Sequence, residues 1–246
     1  MPQERNEYLD RTYRDRMQAP DLVGFRVQIR ETDLYVLAQR DLTEEATRAA
    51  RRARTTIEAW IESDPDFAAT LTPLPCPPDA PRLIREMSAA AEAAGVGPMA
   101  AVAGAIAETV ARALAPRSPE IIVENGGDTY LMGNRERVAA IFAGRSPLSN
   151  RIGLVIPPGR LPLAVCTSSA TVGPSLSFGH ADAAAVVAGS GALADAAASA
   201  VGNRVHTPDD LPAAVELGLA IPGVIHVVTI MGDRMAAGGG LALRRL

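Results

Sequence analysis

Apolar residues change period several times along the chain, and each change marks an element. Phe25-Arg-Val-Gln-Ile-Arg alternates apolar and polar residues, the two-residue period of a half-buried strand. Asp33-Leu-Tyr-Val-Leu-Ala follows as a second strand, and Glu31-Thr32 between them predicts a hairpin. Thr43-Glu-Glu reads as a helix start, an N-cap followed by first-turn acids, for a long Arg-rich helix running towards Ile61. Residues 64–82 are rich in proline and predict an irregular crossing rather than an element. A helix over Leu83–Ala94 ends at Gly95, a natural C-cap. Gly97-Pro98 starts another, running to Leu114 with its proline in the favoured first turn. Its first three turns carry small residues on every face, which predicts a buried, central helix.

The second half reads mostly as short strands. Glu120-Ile-Ile-Val-Glu is a strand, Asn125-Gly-Gly-Asp a tight turn, and Thr129–Met132 the return strand. Leu154–Ile156 and Leu163–Val165 are further strands, and Cys166–Ser177 reads as a polar loop. Ala183–Ala188 is a buried strand, and Ser190 caps the helix after it. Val224–Met231 and Gly240–Leu243 predict a last hairpin. Residues 1–20 carry many charges and read as a flexible arm or a first irregular segment. Strands and helices mix without a βαβ rhythm. The expectation is an α+β fold, a mixed or antiparallel sheet with packed alanine-rich helices, forming one domain over residues 1–246.

Within that pattern one residue stands out. Asp195 is the only charge between Ala183 and Gly202, in a stretch of small apolar residues. A carboxylate there must be paired, hydrogen-bonded or metal-bound, because burying it bare costs several kcal/mol. Ser199 lies one helical turn on, so its hydroxyl shares a face with the carboxylate. Together they make half a site for a hard cation such as Mg²⁺. An internal carboxylate bonding the N-terminus of another helix explains Asp195 equally well.

Composition narrows the partners. The 246 residues are 48% hydrophobic but only 4% aromatic, so the core is aliphatic. A net charge of −4 argues against non-specific nucleic-acid binding, which needs a basic surface. It leaves room for a phosphorylated ligand held by backbone amides. Cys76 and Cys166 make neither a disulfide framework nor a metal knuckle, and Cys166 reads as a structural thiol. The polar start and the lack of an uncharged run of about 20 apolar residues predict a cytoplasmic chain that does not enter a membrane. Small-residue helices beside long apolar strands favour a homodimer.

Other motifs weigh differently. Gly95-Val-Gly-Pro-Met-Ala100 fits the loose G-x-G-x-x-G/A pattern, but a helix, not a strand, precedes it, so a helix–helix corner is expected. Gly126 and Gly127 allow backbone to approach a ligand, although a hairpin turn alone explains them. Thr167-Ser-Ser-Ala-Thr-Val-Gly173 offers hydroxyls and free amides suited to phosphate or a ribityl chain. The histidines are scattered without ligand spacing, and of them His180, at a strand entrance, is the one placed to touch ligand.

Taken in order, these segments resemble the ApbE superfamily, and more closely its UPF0280 branch. The resemblance rests on Gly95-Val-Gly-Pro-Met-Ala-Ala-Val-Ala-Gly-Ala-Ile-Ala-Glu108, Val123-Glu-Asn-Gly-Gly-Asp128, Cys166-Thr-Ser-Ser-Ala-Thr-Val-Gly173 and Ala192-Leu-Ala-Asp-Ala-Ala-Ala-Ser199. It implies an ApbE-like fold with flavin in a cleft, and Mg²⁺-dependent transfer of FMN from FAD to an acceptor protein. It implies Asp195, Ser199 and the backbone carbonyl near Val102 as metal ligands. It implies Gly126, Gly127, Asp128, Thr167, Ser168 and Ser169 as the cofactor surround. The chain departs from the pattern at Ala103, where the family has lysine, at Gly97, where it has aspartate, and in lacking an H-x-x-D-P-x-T-G segment. The resemblance names no catalytic residue here. The alternative it leaves is a non-catalytic flavin- or nucleotide-binding protein on the same fold.

Overall fold

The structure is a computed structural model and describes residues 12–17, 19–172 and 177–246. The chain forms β1 (Val23–Ile29), β2 (Thr32–Ala38), α1 (Thr43–Ser63), the short α2 (Asp66–Ala69), α3 (Arg82–Ala94) and α4 (Val102–Leu114). It continues with β3 (Ile121–Asn125), β4 (Asp128–Met132), β5 (Arg137–Ala140), β6 (Ile152–Ile156), β7 (Leu163–Ser168) and β8 (Ala183–Ala188). Then come α5 (Gly191–Arg204), α6 (Leu211–Ala220), β9 (Val224–Met231), β10 (Arg234–Gly239) and β11 (Ala242–Arg245).

Eight strands form one sheet in the order β1-β2-β3-β4-β7-β8-β9-β10, and every neighbouring pair is antiparallel. Alternation along β2 shows how its faces are used. Leu34, Val36 and Ala38 join the core beneath the helices, while Leu37 joins a second core on the opposite face. That second face is covered by a three-stranded sheet, β11-β6-β5. Leu154, Ile156 and Leu241 meet Ile122, Leu131 and Val187 there. The large sheet is therefore a middle layer, which is why β3 and β8 are buried at every position and read as continuous apolar runs.

Alanine sets the helix layer. In α1 the buried positions Ala46, Ala49, Ala50, Ala53 and Ile57 recur with helical spacing and form the inward stripe. Helix α5 is apolar on nearly all faces and packs against α3, α4, α6, β7 and β8, so it is the central helix. Where α4 crosses α5, Gly104 and Gly191 lie back to back: a methyl at either would overlap the other's carbonyl oxygen.

Several expectations change. The arm expected at 1–20 is a wall in its described part: residues 1–11 and 18 lie outside the described residues, but Thr12–Arg16 forms a 3-10 turn anchored to the sheet. Thr43 is the first residue inside α1, not its cap. Asp41 accepts hydrogen bonds from the Thr43 backbone N–H and hydroxyl at 2.8 and 2.6 Å. The polar segment from Cys166 does not begin as a loop, because Cys166–Ser168 continue β7 and pair with β8; residues 173–176 lie outside the described residues. The last hairpin pairs β9 with Arg234–Gly239, and the chain then crosses to the small sheet, where Ala242–Arg245 pairs with β6. The segment 64–82 is irregular apart from α2, and Gly95 caps α3 in the left-handed region at φ 70°.

Candidate functional site

The β3–β4 hairpin places the first motif. Asn125 and Asp128 are paired residues, and Gly126 and Gly127 both take positive φ, 71° and 105°, as the tight turn between them requires. The turn carries backbone over the end of β7, so that Asp128 Oδ1 accepts from the Thr167 N–H at 3.3 Å. Helix α5, entered through the Ser190 cap, points Asp195 and Ser199 at the same place. One cavity of about 260 Å³ is lined by Gly126, Gly127, Asp128, Thr167, Ser168, Ser169, Asp195 and Ser199. Three segments far apart in sequence thus meet at one concave surface.

Two expected residues fall elsewhere. His180 is exposed and lines neither this cavity nor its neighbour. Its ring lies edge-on to His206 at 5.7 Å. Val102 borders a second cavity, which also touches Ala103, Asn125, Gly126 and Asp128, and Gly126 and Asp128 line both cavities. His226 is buried, with one ring nitrogen accepting from the Leu241 N–H at 3.2 Å and the other without a partner among the described residues.

Asp195 is held as well as displayed. Its Oδ2 accepts the Gly104 N–H at 2.9 Å, at the start of α4, where backbone donors lack intrahelical partners. Glu108 of α4 returns the interaction, accepting the Gly191 N–H of α5 at 2.7 Å. The two helices therefore clamp each other's N-termini through carboxylates, with negative charge on the positive end of each helix. Burial pushes the Asp195 carboxyl up to about 7, against the lowering effect of the Gly104 and Ala103 amides. Asp128 is raised well above the usual carboxylate range, first by burial and then by the charge of Asp195. Burial and the same two acids raise the Cys166 thiol, so a buried thiol, not a nucleophile, sits beside the pair.

The rest of the lining was missed by sequence reasoning. Tyr13, Arg16, Met17, Phe142 and Arg137 line the same cavity as the motifs. Arg14 fixes that part of the lining: its Nε donates to Glu124 at 2.6 Å and its Nη1 to Asp33 at 3.1 Å, while the Tyr13 hydroxyl donates to Glu124 at 2.7 Å. The Tyr13 and Phe142 rings lie 5.4 Å apart. Apart from the Arg14–Asp33 bond, these contacts join residues more than 100 positions apart, and the only sequence signal was the charge density of the first segment. Of the arginines near the Gly-Gly-Asp turn, Arg137 donates to both Asp21 oxygens and to Glu120, and Arg135 pairs with Asp21. Among the described residues no single helix is long and apolar enough to cross a membrane.

Known structures share this fold. The flavin transferase ApbE from Vibrio cholerae (H257G mutant) superposes with a TM-score of 0.55 at 10% identity, covering 89% of this chain and 97% of that one. The apo flavinyl transferase ApbE of Pseudomonas stutzeri gives 0.51 at 16% identity, covering 89% and 94%. At such identities the likeness defines the class, an ApbE-like α+β fold. A family model described as "AbpE bacteria" matches residues 14–218. UPF0280 proteins of Methanocella arvoryzae and Methanosarcina acetivorans are 46% and 40% identical, over 88% and 86% of this chain and 88% and 85% of theirs. The chain belongs to the UPF0280 family.

Proposed function

We propose that the chain is a Mg²⁺-dependent transferase acting on FAD or a related phosphorylated, nucleotide-like ligand. The observation that carries this reading is the convergence of Gly126-Gly127-Asp128, Thr167–Ser169, Asp195 and Ser199 on one cavity. The donor chemistry fits the metal. Asp128 and Asp195 are hard oxygen donors raised by burial, Asp128 also by the charge of Asp195, and the Ser199 hydroxyl faces the same space. Among the described residues no cluster of three or more His, Cys, Asp or Glu accompanies them, so water and ligand phosphate would complete an octahedral shell. The carbonyl of Val102, which borders the second cavity, is the further donor expected by resemblance. Mg²⁺ bound here supplies positive charge to phosphoryl oxygens as a pyrophosphate bond breaks.

This chain's own residues would then bind and orient. The Gly126–Gly127 backbone approaches without side chains, and the Thr167–Ser169 hydroxyls and amides offer donors to phosphate. Ile122, Leu131 and the Tyr13–Phe142 pair give an apolar and aromatic face for a planar ring. A cavity of about 260 Å³ lies just under the range that encloses a drug-sized ligand, so part of a dinucleotide extends from the mouth. An acceptor protein would reach the ligand from that mouth. The same reading keeps a cytoplasmic homodimer as the working form.

Titration calorimetry with FAD, FMN and ADP, with and without Mg²⁺, tests the proposal. Binding that requires Mg²⁺ and is lost in Asp195→Ala supports it, and absence of binding under every condition sinks it. The second reading, a flavin- or nucleotide-binding protein without chemistry, is favoured by Ala103 and by the neutralisation of Arg137. Multiple turnover of a pyrophosphate substrate would exclude it.

A further inference from the structure

We infer that Arg16, on the 3-10 turn at the cavity wall, is the cation that binds the phosphoryl group of the ligand. This rests on the reading of the cavity as a phosphorylated-ligand site. The argument is an inventory of charge. The cavity is lined by three carboxylates, Glu124, Asp128 and Asp195, and by two guanidiniums, Arg16 and Arg137. Glu124 is neutralised by Arg14, and Arg137 is held by Asp21 and Glu120. What remains unpaired in the lining, among the described residues, is the acidic pair and Arg16. Arg16 is exposed and, among the described residues, has no carboxylate partner.

An anion entering this space meets repulsion from Asp128 and Asp195 unless a cation offsets it. Mg²⁺ on the acids offsets part of it, and a guanidinium with a planar fork of donors matches phosphate oxygens. The fold fixes where that guanidinium stands. Arg14, two residues earlier, is only 10% exposed and locked to Glu124 and Asp33, and Tyr13 is bonded to Glu124 and set against Phe142. The turn therefore presents Arg16 from an anchored base, in the same cavity lining as Thr167–Ser169.

The test separates phosphate from ring. Wild type, Arg16→Ala and Arg16→Lys are titrated with FMN, riboflavin and inorganic pyrophosphate in the presence of Mg²⁺, with Arg135→Ala as control. A charge-assisted bond to phosphate predicts FMN and pyrophosphate weakened about ten- to a hundredfold in Arg16→Ala, with riboflavin unchanged. Arg16→Lys recovers part of the loss and Arg135→Ala behaves as wild type. Equal binding of FMN by Arg16→Ala and wild type overturns the inference, as does wild type that binds neither FMN nor pyrophosphate. Pyrophosphate bound through Arg16 without any flavin binding would leave the inference standing and refute the flavin reading.

Discussion

Replacing Gly104 with alanine tests the helix crossing on which the site depends. The new methyl would overlap the Gly191 carbonyl oxygen and lie 2.9 Å from Asp195 Cβ. Backbone on one side and a clamped side chain on the other leave it no way out but separation of α4 from α5. Overpacking of this kind costs about 1–3 kcal/mol. Separation also stretches the Gly104 N–H bond to Asp195, now 2.9 Å, and a hydrogen bond to a charged group is worth about 1.5–3 kcal/mol. Alanine returns about 1 kcal/mol of helix propensity. The net expectation is about 2–4 kcal/mol of destabilisation, which in a chain of this size lowers the melting temperature by about 5–15 °C. Thermal unfolding followed by circular dichroism measures it. Gly189→Ala is the control, since a methyl there meets nothing within 4 Å and the φ is not in the left-handed region. A Gly104→Ala protein that melts within about 2 °C of the Gly189→Ala control would refute the crossing as described.

Three further outcomes are expected. Because the folded Asp195 carboxyl titrates at about 7 and the unfolded one near its ordinary value of 3.8, the folded chain alone holds that proton between those limits. Asp195 therefore contributes a fall in the stability of the metal-free protein as pH rises from about 4 to about 7, to which the raised Asp128 adds, and Asp195→Asn makes the fall shallower; a wild type no more pH-dependent than Asp195→Asn across that window contradicts this. Glu108→Gln weakens the clamp on Gly191 but leaves the cavity wall intact, so it lowers the melting temperature by a few degrees without changing the stabilisation that added Mg²⁺ provides, whereas Asp195→Asn abolishes that stabilisation; equal Mg²⁺ effects in both variants would count against a metal site at Asp195. Of the two thiols, the half-exposed Cys76 reacts with a disulfide reagent in the folded protein, while Cys166, buried beside Asp128 and Asp195, reacts only at the rate of unfolding; fast reaction of both would show that the acid pair is open to solvent.

How much of this was legible depended on whether the signal was local. The strand Ala183–Ala188 and the Ser190 cap are short-range features, and both stand where the pattern placed them. The Asn125–Asp128 turn is equally local, since two glycines at positive φ are its chemistry. The small sheet was only partly legible. Its strand Arg137–Ala140 has four residues and no alternation, and Ala242–Arg245 is exposed throughout, so neither shows a buried period. The return strand Arg234–Gly239 ends in small residues of low strand propensity, which made the next segment look the better partner for β9. The wall at Tyr13–Met17 was read as an arm because its binding partner, Glu124, lies 110 residues from Arg14.

Asp195 shows why composition alone could not choose between a structural and a functional carboxylate. Both readings describe the same side chain. Its Oδ2 binds the first turn of α4, and the residue also lines the cavity that gathers the other motifs. The clamp explains how a charge is tolerated in an alanine helix at all: the Gly104 amide and the start of α4 offset part of its desolvation, and the Gly104–Gly191 contact brings the helices close enough for this. The compensation is incomplete, since the carboxyl stays raised to about 7, and on the proposed reading a bound cation would complete it. Its neighbour Asp128 is in the same position, raised by burial and by Asp195 itself. Two acids under-compensated by the fold, in a cavity where the other charged side chains except Arg16 are paired, make a surface whose electrostatics are completed by what binds there.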